Sequence, residues 1–324
     1  MSDPSDRTEW LKWRRGGIGA SDIAGILGLS PWASPYSVWA NKLGITPAAD
    51  MTEAMEMGHA LEPAIATLFH QRTGLHVSGA QTQCQHPDKP WARCTVDGWA
   101  TEAAYYDGVA IPDAAKLGTV QSKTTSDSPA KWEDGIPMMY AAQVQWEMYV
   151  TNTPKAWVPV IHAAFGLRFR VYEVERSESD IAFIVRQVER FWNDHVVAVV
   201  PPSVDGHVAT TEALGLVPAT DDTTVVLYNP DGKLIALRRL TAEIARLEEQ
   251  KAAATNALKA AMGDNTIAVV ALPDGSTERV ATWKDQTRTS LDSAALKAAL
   301  PDVYQQYAKT TTSRVFRLAT TKEK

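Results

Sequence analysis

The sequence predicts an α/β protein with a central mixed sheet flanked by helices, followed by a long helix and a small α+β appendage. Three observations lead to this expectation. Helical and strand patterns alternate along residues 1–204, which is typical of layered α/β folds. A helical pattern then runs unbroken from Lys233 to Met262. Beyond it, Pro273-Asp274-Gly275 has the composition of a hairpin turn.

Helices open the chain. Ser21-Asp22 can cap a short helix that ends at Leu27 before Gly28, and a longer helix is predicted from Met51 to Thr73. Because proline removes a backbone donor, we expect the longer helix to restart with Pro63 in its first turn.

Strands and helices then alternate up to a predicted domain boundary. Apolar alternation predicts strands at 92–96, 118–125, 157–161 and 167–174, and helical spacing predicts helices at 140–151 and 181–195. Pro201-Pro202 marks the boundary between a domain of residues 1–204 and an appendage of residues 205–324.

The appendage begins with the long helix. Its leucine and isoleucine residues have heptad spacing, but Lys251 interrupts the seam, so we expect a helix hairpin or a helix lying on the core rather than a long coiled coil. A helix near Leu291–Leu300 and a final strand near Ser313–Leu318 are also predicted.

Composition excludes several classes of protein. The 324 residues carry a net charge of −6, so the overall charge gives no argument for a nucleic-acid partner. Neither a membrane-length apolar run nor a signal-peptide pattern is present, and we expect a cytoplasmic protein without a membrane partner. Two cysteines are too few for a disulfide scaffold, and Cys84, His86 and Cys94 lack a fourth zinc ligand.

Chemistry is indicated on two successive predicted strands. Asp97 ends one strand, and the next presents Gln121-Ser122-Lys123. Alternate strand residues share a face, so residues 121 and 123 should lie side by side. An aspartate at a strand end can bind Mg²⁺, and a nearby lysine can orient the attacking water or stabilise phosphate charge.

Several motifs resemble, in order and spacing, those of the lambda-exonuclease or YqaJ-like viral recombinase family. They cover about residues 10–200: Arg14 with Gly-Ala-Ser21-Asp22, Leu-Gly-Leu-Ser-Pro-Trp at 27–32, Gly58-His-Ala-Leu-Glu62-Pro63, Val96-Asp97-Gly98, Gln121-Ser122-Lys123-Thr, and Tyr140-Ala-Ala-Gln143-Val-Gln145.

The resemblance implies a restriction-endonuclease-like core that degrades double-stranded DNA 5′ to 3′ from its ends. It also implies a dependence on Mg²⁺, with Mn²⁺ as an alternative. The implied partners are DNA ends that carry a 5′ phosphate, further copies of the chain in a trimer, and a single-strand annealing recombinase.

The resemblance also implies the metal and catalytic residues. Asp97 is similar to the family's metal-binding aspartate and Lys123 to its catalytic lysine. Ser122 matches the position whose backbone carbonyl completes the metal site in the family. Glu62 resembles a helix-borne glutamate near the metals. A carboxylate beside Pro63 would also suit a helix start without any metal.

Further residues resemble DNA contacts. Arg14 and Ser21 match a pocket for the terminal 5′ phosphate, although Arg14 and Arg15 also fit an ordinary solvated pair. Gln143 resembles a glutamine that reaches toward the active site. Gln145 and Tyr149 share a helix face and are predicted either to contact DNA or to pack.

One position departs from the family pattern. Where the family has a glutamate, this chain has Gln121, which offers a metal only a neutral oxygen. Three functions therefore remain open: an end-directed exonuclease, a catalytically inactive DNA-end-binding protein, and an endonuclease on the same fold.

Overall fold

The computed structural model describes residues 4–47, 51–106, 108–164, 166–217, 224–225, 232–310 and 314–318. Two compact units make up the chain: Met1–Ala219 with Ser313–Lys324, and Thr220–Thr312. Within the described residues, no helix has the length and apolar character needed to cross a membrane.

The first unit interleaves seven α-helices and eight strands in its described part. Its helices are α1 (Pro4–Arg15), α2 (Ala20–Ile26), α3 (Pro35–Lys42), α4 (Glu53–Thr73), α5 (Met138–Thr151), α6 (Glu178–Phe191) and α7 (Val208–Leu216). Its strands are β1 (His76–Ser78), β2 (Thr82–Gln85), β3 (Arg93–Val96), β4 (Gly98–Thr101), β5 (Gly118–Val120), β6 (Lys123–Thr125), β7 (Lys155–His162) and β8 (Arg168–Glu175).

The central sheet is mixed, which confirms the predicted fold class. β4 lies between β1 and β5 and is antiparallel to both. β7 is parallel to β5 and β6 along one edge and antiparallel to β8 along the other. β2 and β3 form a separate antiparallel pair, in which Cys84 and Cys94 are opposite each other and both are free thiols.

The strand predicted at 118–125 is interrupted. Its two parts, β5 and β6, nevertheless keep a single register along β7. Val120 pairs with Trp157, and Lys123, three residues later, pairs with Val160, which is also three residues later. The amide N–H of Gln121 donates to the Trp157 carbonyl at 2.9 Å. The predicted neighbourhood of residues 121 and 123 is therefore retained across the break.

Helices cover both faces of the sheet. On one face, Val144 and Met148 of α5 pack against Val158 and Val160 of β7. On the other face, Phe69 of α4 packs against Ala100, Val120 and Trp157. Because side chains of β7 alternate between these two cores, the strand is apolar on both faces, as expected for a covered central strand.

The predicted helix restart at Pro63 is wrong. α4 is continuous from Glu53 to Thr73, and Pro63 lies inside it. The packing of Ile65 and Phe69, both buried, compensates for the backbone hydrogen bond that the proline removes. Glu62 is consequently in the middle of a helix and not at a helix start.

The second unit contains the long helix and the hairpin. α8 (Lys233–Met262) has the predicted bounds, and β9 (Ile267–Ala271) and β10 (Thr277–Thr282) pair on either side of the predicted turn. α9 (Ser293–Ala299) and α10 (Pro301–Tyr307) follow. Leu240, Ile244 and Leu247 are about half exposed, so the heptad seam is not covered by the residues that the structure describes.

Two predictions near the end of the first unit need correction. The boundary lies later than residue 204, because α7 packs on α3 and the Thr210 hydroxyl donates to Ser34 Oγ at 2.7 Å. The final strand does not form over residues 314–318, and Ser313 is outside the described residues.

Gly118 begins β5 at a point of close backbone approach. A Cβ atom at this position would lie 2.2 Å from the backbone oxygen of Lys155. We therefore expect Gly118→Ala to lower the free energy of unfolding by about 1–3 kcal/mol, the usual cost of overpacking. Gly58→Ala is the matched control, since a Cβ atom there meets nothing within 4 Å and alanine favours a helix interior. Urea denaturation of both variants measures the difference, and equal stabilities would contradict the close approach.

Candidate active site

Asp97 lies in the turn between β3 and β4, directly beside the break between β5 and β6. Gly98 pairs with Val120, so the next position along each strand brings Asp97 to Gln121. Asp97 Oδ2 accepts hydrogen bonds from Gln121 Nε2 at 2.7 Å and from the backbone N–H of Ser122 at 2.8 Å. Three of the four residues predicted to surround a metal, Asp97, Gln121 and Ser122, are thus in direct contact.

The Asp97 carboxyl is held in an environment that opposes its ionisation. Burial raises its pKa to about 6, and the negative charge of Glu62 acts in the same direction. The charge of Lys123 and the hydrogen bonds from Ser122 and Gln121 act against the rise. A bound cation would favour the ionised form of Asp97 and so oppose this rise in pKa.

Lys123 is held by groups of α5. Its Nζ donates to Gln143 Oε1 at 3.1 Å, and it lies 5.0 Å from the centre of the Tyr140 ring. Burial lowers its pKa, while the negative charges of Asp97 and Glu147 limit the decrease. Gln143, predicted to reach toward the active site, therefore lies at hydrogen-bond distance from Lys123.

Glu62 approaches the site from α4. Its carboxylate accepts a hydrogen bond from Gln81 Nε2 at 3.4 Å and acts on Asp97 through its charge. No group of three His, Cys, Asp or Glu side chains that could hold a metal occurs in the described part of the chain. With glutamine at position 121, the ligands available to a cation at this site are two carboxylates and neutral oxygens.

Glu147 is a residue of this site that the sequence analysis missed. Its side chain is fully buried, and its Oε1 accepts a hydrogen bond from Gln143 Nε2 at 3.0 Å. Its position four residues after Gln143 places it on the same helix face, and this spacing is the signal that could have identified it.

Arg14 and Ser21 also meet as predicted. Arg14 Nη2 donates to Ser21 Oγ at 3.2 Å and lies 3.7 Å from Asp22 Oδ1. Ser21 is exposed and the Arg14 side chain is one-third exposed, so both are accessible to a ligand. We name the following five residues the arginine cluster: Arg14, Ser21, Asp22, Lys42 and Arg93.

Lys42 is a second residue that the sequence did not reveal. Its fully buried Nζ lies 2.5 Å from Asp22 Oδ2 and donates to the Arg14 carbonyl at 3.0 Å. Burial alone would raise the pKa of Asp22, but Lys42 and Arg14 outweigh it and lower that pKa. With Asp22 ionised between them, Lys42 and Arg14 leave these three side chains with one net positive charge, which favours an anion.

A strand connects the arginine cluster to Asp97. The backbone N–H of Arg93 donates to the Ile18 carbonyl at 3.0 Å, which fixes the segment between α1 and α2 beside β3. Asp97 follows Arg93 by four residues, about 13 Å at the rise of an extended strand. The cluster and the carboxylate site are therefore separate and are connected through β3.

Gln145 and Tyr149 pack within the protein. Gln145 Nε2 donates to the Glu175 carbonyl at 2.8 Å, and its Oε1 accepts from the Ser177 N–H at 3.0 Å. The Tyr149 ring stacks on His86 at 4.5 Å between centroids. These contacts favour the packing alternative for both residues, because the Gln145 amide is already occupied and buried.

Comparison with known proteins identifies the family of the chain. Residues 9–154 match the model of the YqaJ-like viral recombinase domain. The uncharacterized protein YqaJ of Bacillus subtilis (strain 168) is 30% identical over 318 residues, covering 96% of this chain and 93% of that protein. The chain belongs to the YqaJ family. The family resemblance in the sequence is thereby confirmed.

Two solved structures are similar to this family member. An alkaline exonuclease (LHK-Exo) from Laribacter hongkongensis has 19% identity and a TM-score of 0.46, covering 60% of this chain and 94% of that one. A phage-related exonuclease from Haemophilus somnus 129PT has 12% identity and a TM-score of 0.41, covering 56% and 96%.

The raised pKa of Asp97 predicts a pH-dependent stability. In the unfolded chain the carboxyl ionises near its ordinary value of 3.8, whereas in the fold it ionises at about 6. Ionisation therefore opposes folding, with a cost that is absent below about pH 4, grows through about pH 6 and stays constant above. With EDTA present, we expect Asp97→Asn to be about 1–3 kcal/mol more stable than the parent at pH 7.5 and equal to it near pH 4.

Urea denaturation at both pH values tests this expectation. The exposed Asp134 provides the matched control, because Asp134→Asn makes the same chemical change away from the buried site. A stability gain in Asp97→Asn that is the same at both pH values would contradict the raised pKa.

Proposed function

We propose that this YqaJ-family chain is a nuclease that requires Mg²⁺ and degrades double-stranded DNA 5′ to 3′ from its ends in phage-type recombination. The observation that carries the proposal is the direct contact of Asp97 with residues 121 and 122, beside a lysine held by Gln143. Carboxylate and lysine side chains at adjoining strand ends suit phosphodiester hydrolysis.

The donor atoms fit a hard cation. Gln121 Oε1 is buried and has no hydrogen-bond partner, which is costly for an amide oxygen unless a ligand compensates. Asp97, Glu62 and the Ser122 carbonyl would provide the other oxygens that Mg²⁺ prefers, with Mn²⁺ as an alternative. When bound, the cation would stabilise phosphate charge and favour deprotonation of water.

The side chains of this chain would then perform distinct tasks. Lys123 would stabilise the charge that develops on the scissile phosphate, and Gln143 would hold the lysine in place. Asp97 would serve as the principal anionic ligand, because the two hydrogen bonds that orient its carboxylate both fall on Oδ2 and leave Oδ1 for a cation.

The arginine cluster is the proposed anchor for a terminal 5′ phosphate. An exposed serine hydroxyl and an arginine fork are donors suited to phosphate, and the buried Lys42–Asp22 pair fixes Arg14 beside them. An anchor held beside β3, the strand that leads to Asp97, would favour cleavage at ends over cleavage at interior bonds.

We propose two further partners because of the family to which the chain belongs. We infer a trimer of this chain around the DNA and a single-strand annealing recombinase that receives the exposed strand. Both are proposed from the resemblance of residues 9–154 to the YqaJ-like viral recombinase domain.

A second candidate function is an inactive DNA-end-binding protein. It is favoured by the hydrogen bond from Gln121 Nε2 to Asp97, which occupies the principal ligand with a neutral amide. An endonuclease on the same fold is a third reading, and it would have no use for a 5′-phosphate anchor.

Restoring a carboxylate at position 121 should increase catalysis. We expect Gln121→Glu to raise Mg²⁺-dependent turnover of linear 5′-phosphorylated duplex at least about tenfold, equivalent to roughly 1.4 kcal/mol in the barrier. The physical reason is that a charged oxygen replaces an amide that now donates to Asp97. Mg²⁺ should also raise the melting temperature of Gln121→Glu more than that of the parent chain, since two adjacent carboxylates repel each other until a cation binds.

Two controls accompany this measurement. Asp97→Ala or Lys123→Ala, each added to Gln121→Glu, should abolish cleavage. Closed circular DNA should remain intact if the activity is end-directed. Equal turnover with and without Gln121→Glu would show that residue 121 does not bind the metal, and a parent chain that binds ends but never cleaves would favour the second candidate.

The phosphate anchor is tested at Arg14. We expect Arg14→Ala to lose the preference for 5′-phosphorylated over 5′-hydroxyl ends, because it removes the donor that meets Ser21. Arg15→Ala removes the same charge one residue away and should keep the preference. Competition cleavage of the two substrates in the Gln121→Glu background measures the ratio, and an unchanged ratio in Arg14→Ala places the anchor elsewhere.

A further inference from the structure

Glu147 is the most enclosed ionisable group of the site. Its side chain is 0% exposed, and its second oxygen, Oε2, has no hydrogen-bond partner. Burial, reinforced by the charge of Asp97, raises its pKa to about 8, so the group is largely neutral at pH 7. Lys123 and the hydrogen bond from Gln143 act in the opposite direction, and Cys84 adds a smaller effect that raises the pKa.

Packing alone does not account for a carboxyl group at this position. Trp146 and Met148, the neighbouring residues in α5, are both fully buried and apolar. Replacing a buried ionisable group with an apolar side chain of similar size is often neutral or stabilising. The hydrogen bond that Glu147 makes is therefore the feature that distinguishes it from a methionine or leucine.

That hydrogen bond decides which end of the Gln143 amide faces the lysine. Glu147 Oε1 accepts from Gln143 Nε2 at 3.0 Å, and Gln143 Oε1 then accepts from Lys123 Nζ at 3.1 Å. A rotated amide would direct its own N–H groups at the ammonium group, which is repulsive. An acceptor at position 147 favours the observed state, because the Nε2 end can donate to it. A protonated carboxyl could also donate to the oxygen end of a rotated amide, but that state would still direct the amide N–H groups at the ammonium group.

We propose that Glu147 is a positioning residue for Lys123 that acts through the amide of Gln143. Its effect on turnover rests on the nuclease function proposed above, whereas its effect on the Gln143 amide does not. The proposal requires an acceptor oxygen at position 147 and not a particular volume.

The first experiment needs no activity. Hydrogen exchange of the Gln143 side-chain amide is measured by NMR in the ¹⁵N-labelled full chain, with the resonance assigned by its loss in Gln143→Leu. We expect Glu147→Met to accelerate this exchange at least about tenfold, because the acceptor is gone, and Glu147→Gln to retain the slow exchange, because its carbonyl can still accept. Val150→Ala is the control, since it removes buried packing from α5 away from this hydrogen-bond chain.

The second experiment measures turnover in the Gln121→Glu background. We expect Glu147→Met to lower kcat about tenfold or more with KM for DNA unchanged, and Glu147→Gln to recover most of the loss. Val150→Ala should leave both constants unchanged at a temperature where it is folded. A change in KM alone, or equal loss in Glu147→Gln and Glu147→Met, would overturn the positioning role.

The two experiments separate the two proposals. If Gln121→Glu fails to cleave DNA, the proposed function fails, and amide exchange in Glu147→Met still decides the role of Glu147. If that exchange equals the exchange of the parent chain, the inference is overturned whatever the activity.

Discussion

Parallel pairing with β7 holds β5 and β6 in one register, although the ladder is interrupted at residues 121 and 122. The interruption turns the Ser122 N–H away from the ladder and toward Asp97, and the shared register keeps Lys123 beside it. β4, antiparallel to β5, brings the carboxylate to the same point. The contacts of Asp97 with residues 121 and 122 depend on these four strands, and α5 adds the residues that hold the lysine.

The nature of residue 121 then decides how the strands meet at Asp97. Two carboxylates at hydrogen-bond distance repel each other unless a proton or a cation lies between them. In this chain the Gln121 amide removes the repulsion, because its Nε2 donates to Asp97. The Gln121–Asp97 contact therefore stabilises the site without a cation. Because glutamine is neutral, the site also has less negative charge with which to bind a cation.

The sequence predicted the parts of the fold that local patterns determine. The bounds of α8, the hairpin turn and the adjacency of residues 121 and 123 follow from helical spacing, turn residues and strand alternation. β4 was missed because its four residues are all buried and show no alternation. Glu147 was missed for a similar reason: residues 144–148 of α5 are all buried, so the helix has no polar face to mark the unusual carboxyl.

Burial also decides how charge is distributed among the groups of the site. Asp97 and Lys123 oppose each other's burial cost, so each supports the charged form of the other. A further ionised carboxylate in the same enclosed space lacks a cation of its own, and Glu147 keeps its proton up to about pH 8. Neutral Glu147 still offers an acceptor oxygen to Gln143, so it can orient the amide without adding a charge that would compete for Lys123. A carboxylate at position 121 lies beside Asp97 and would require a cation, whereas the carboxyl at position 147 lies behind Gln143 and does not.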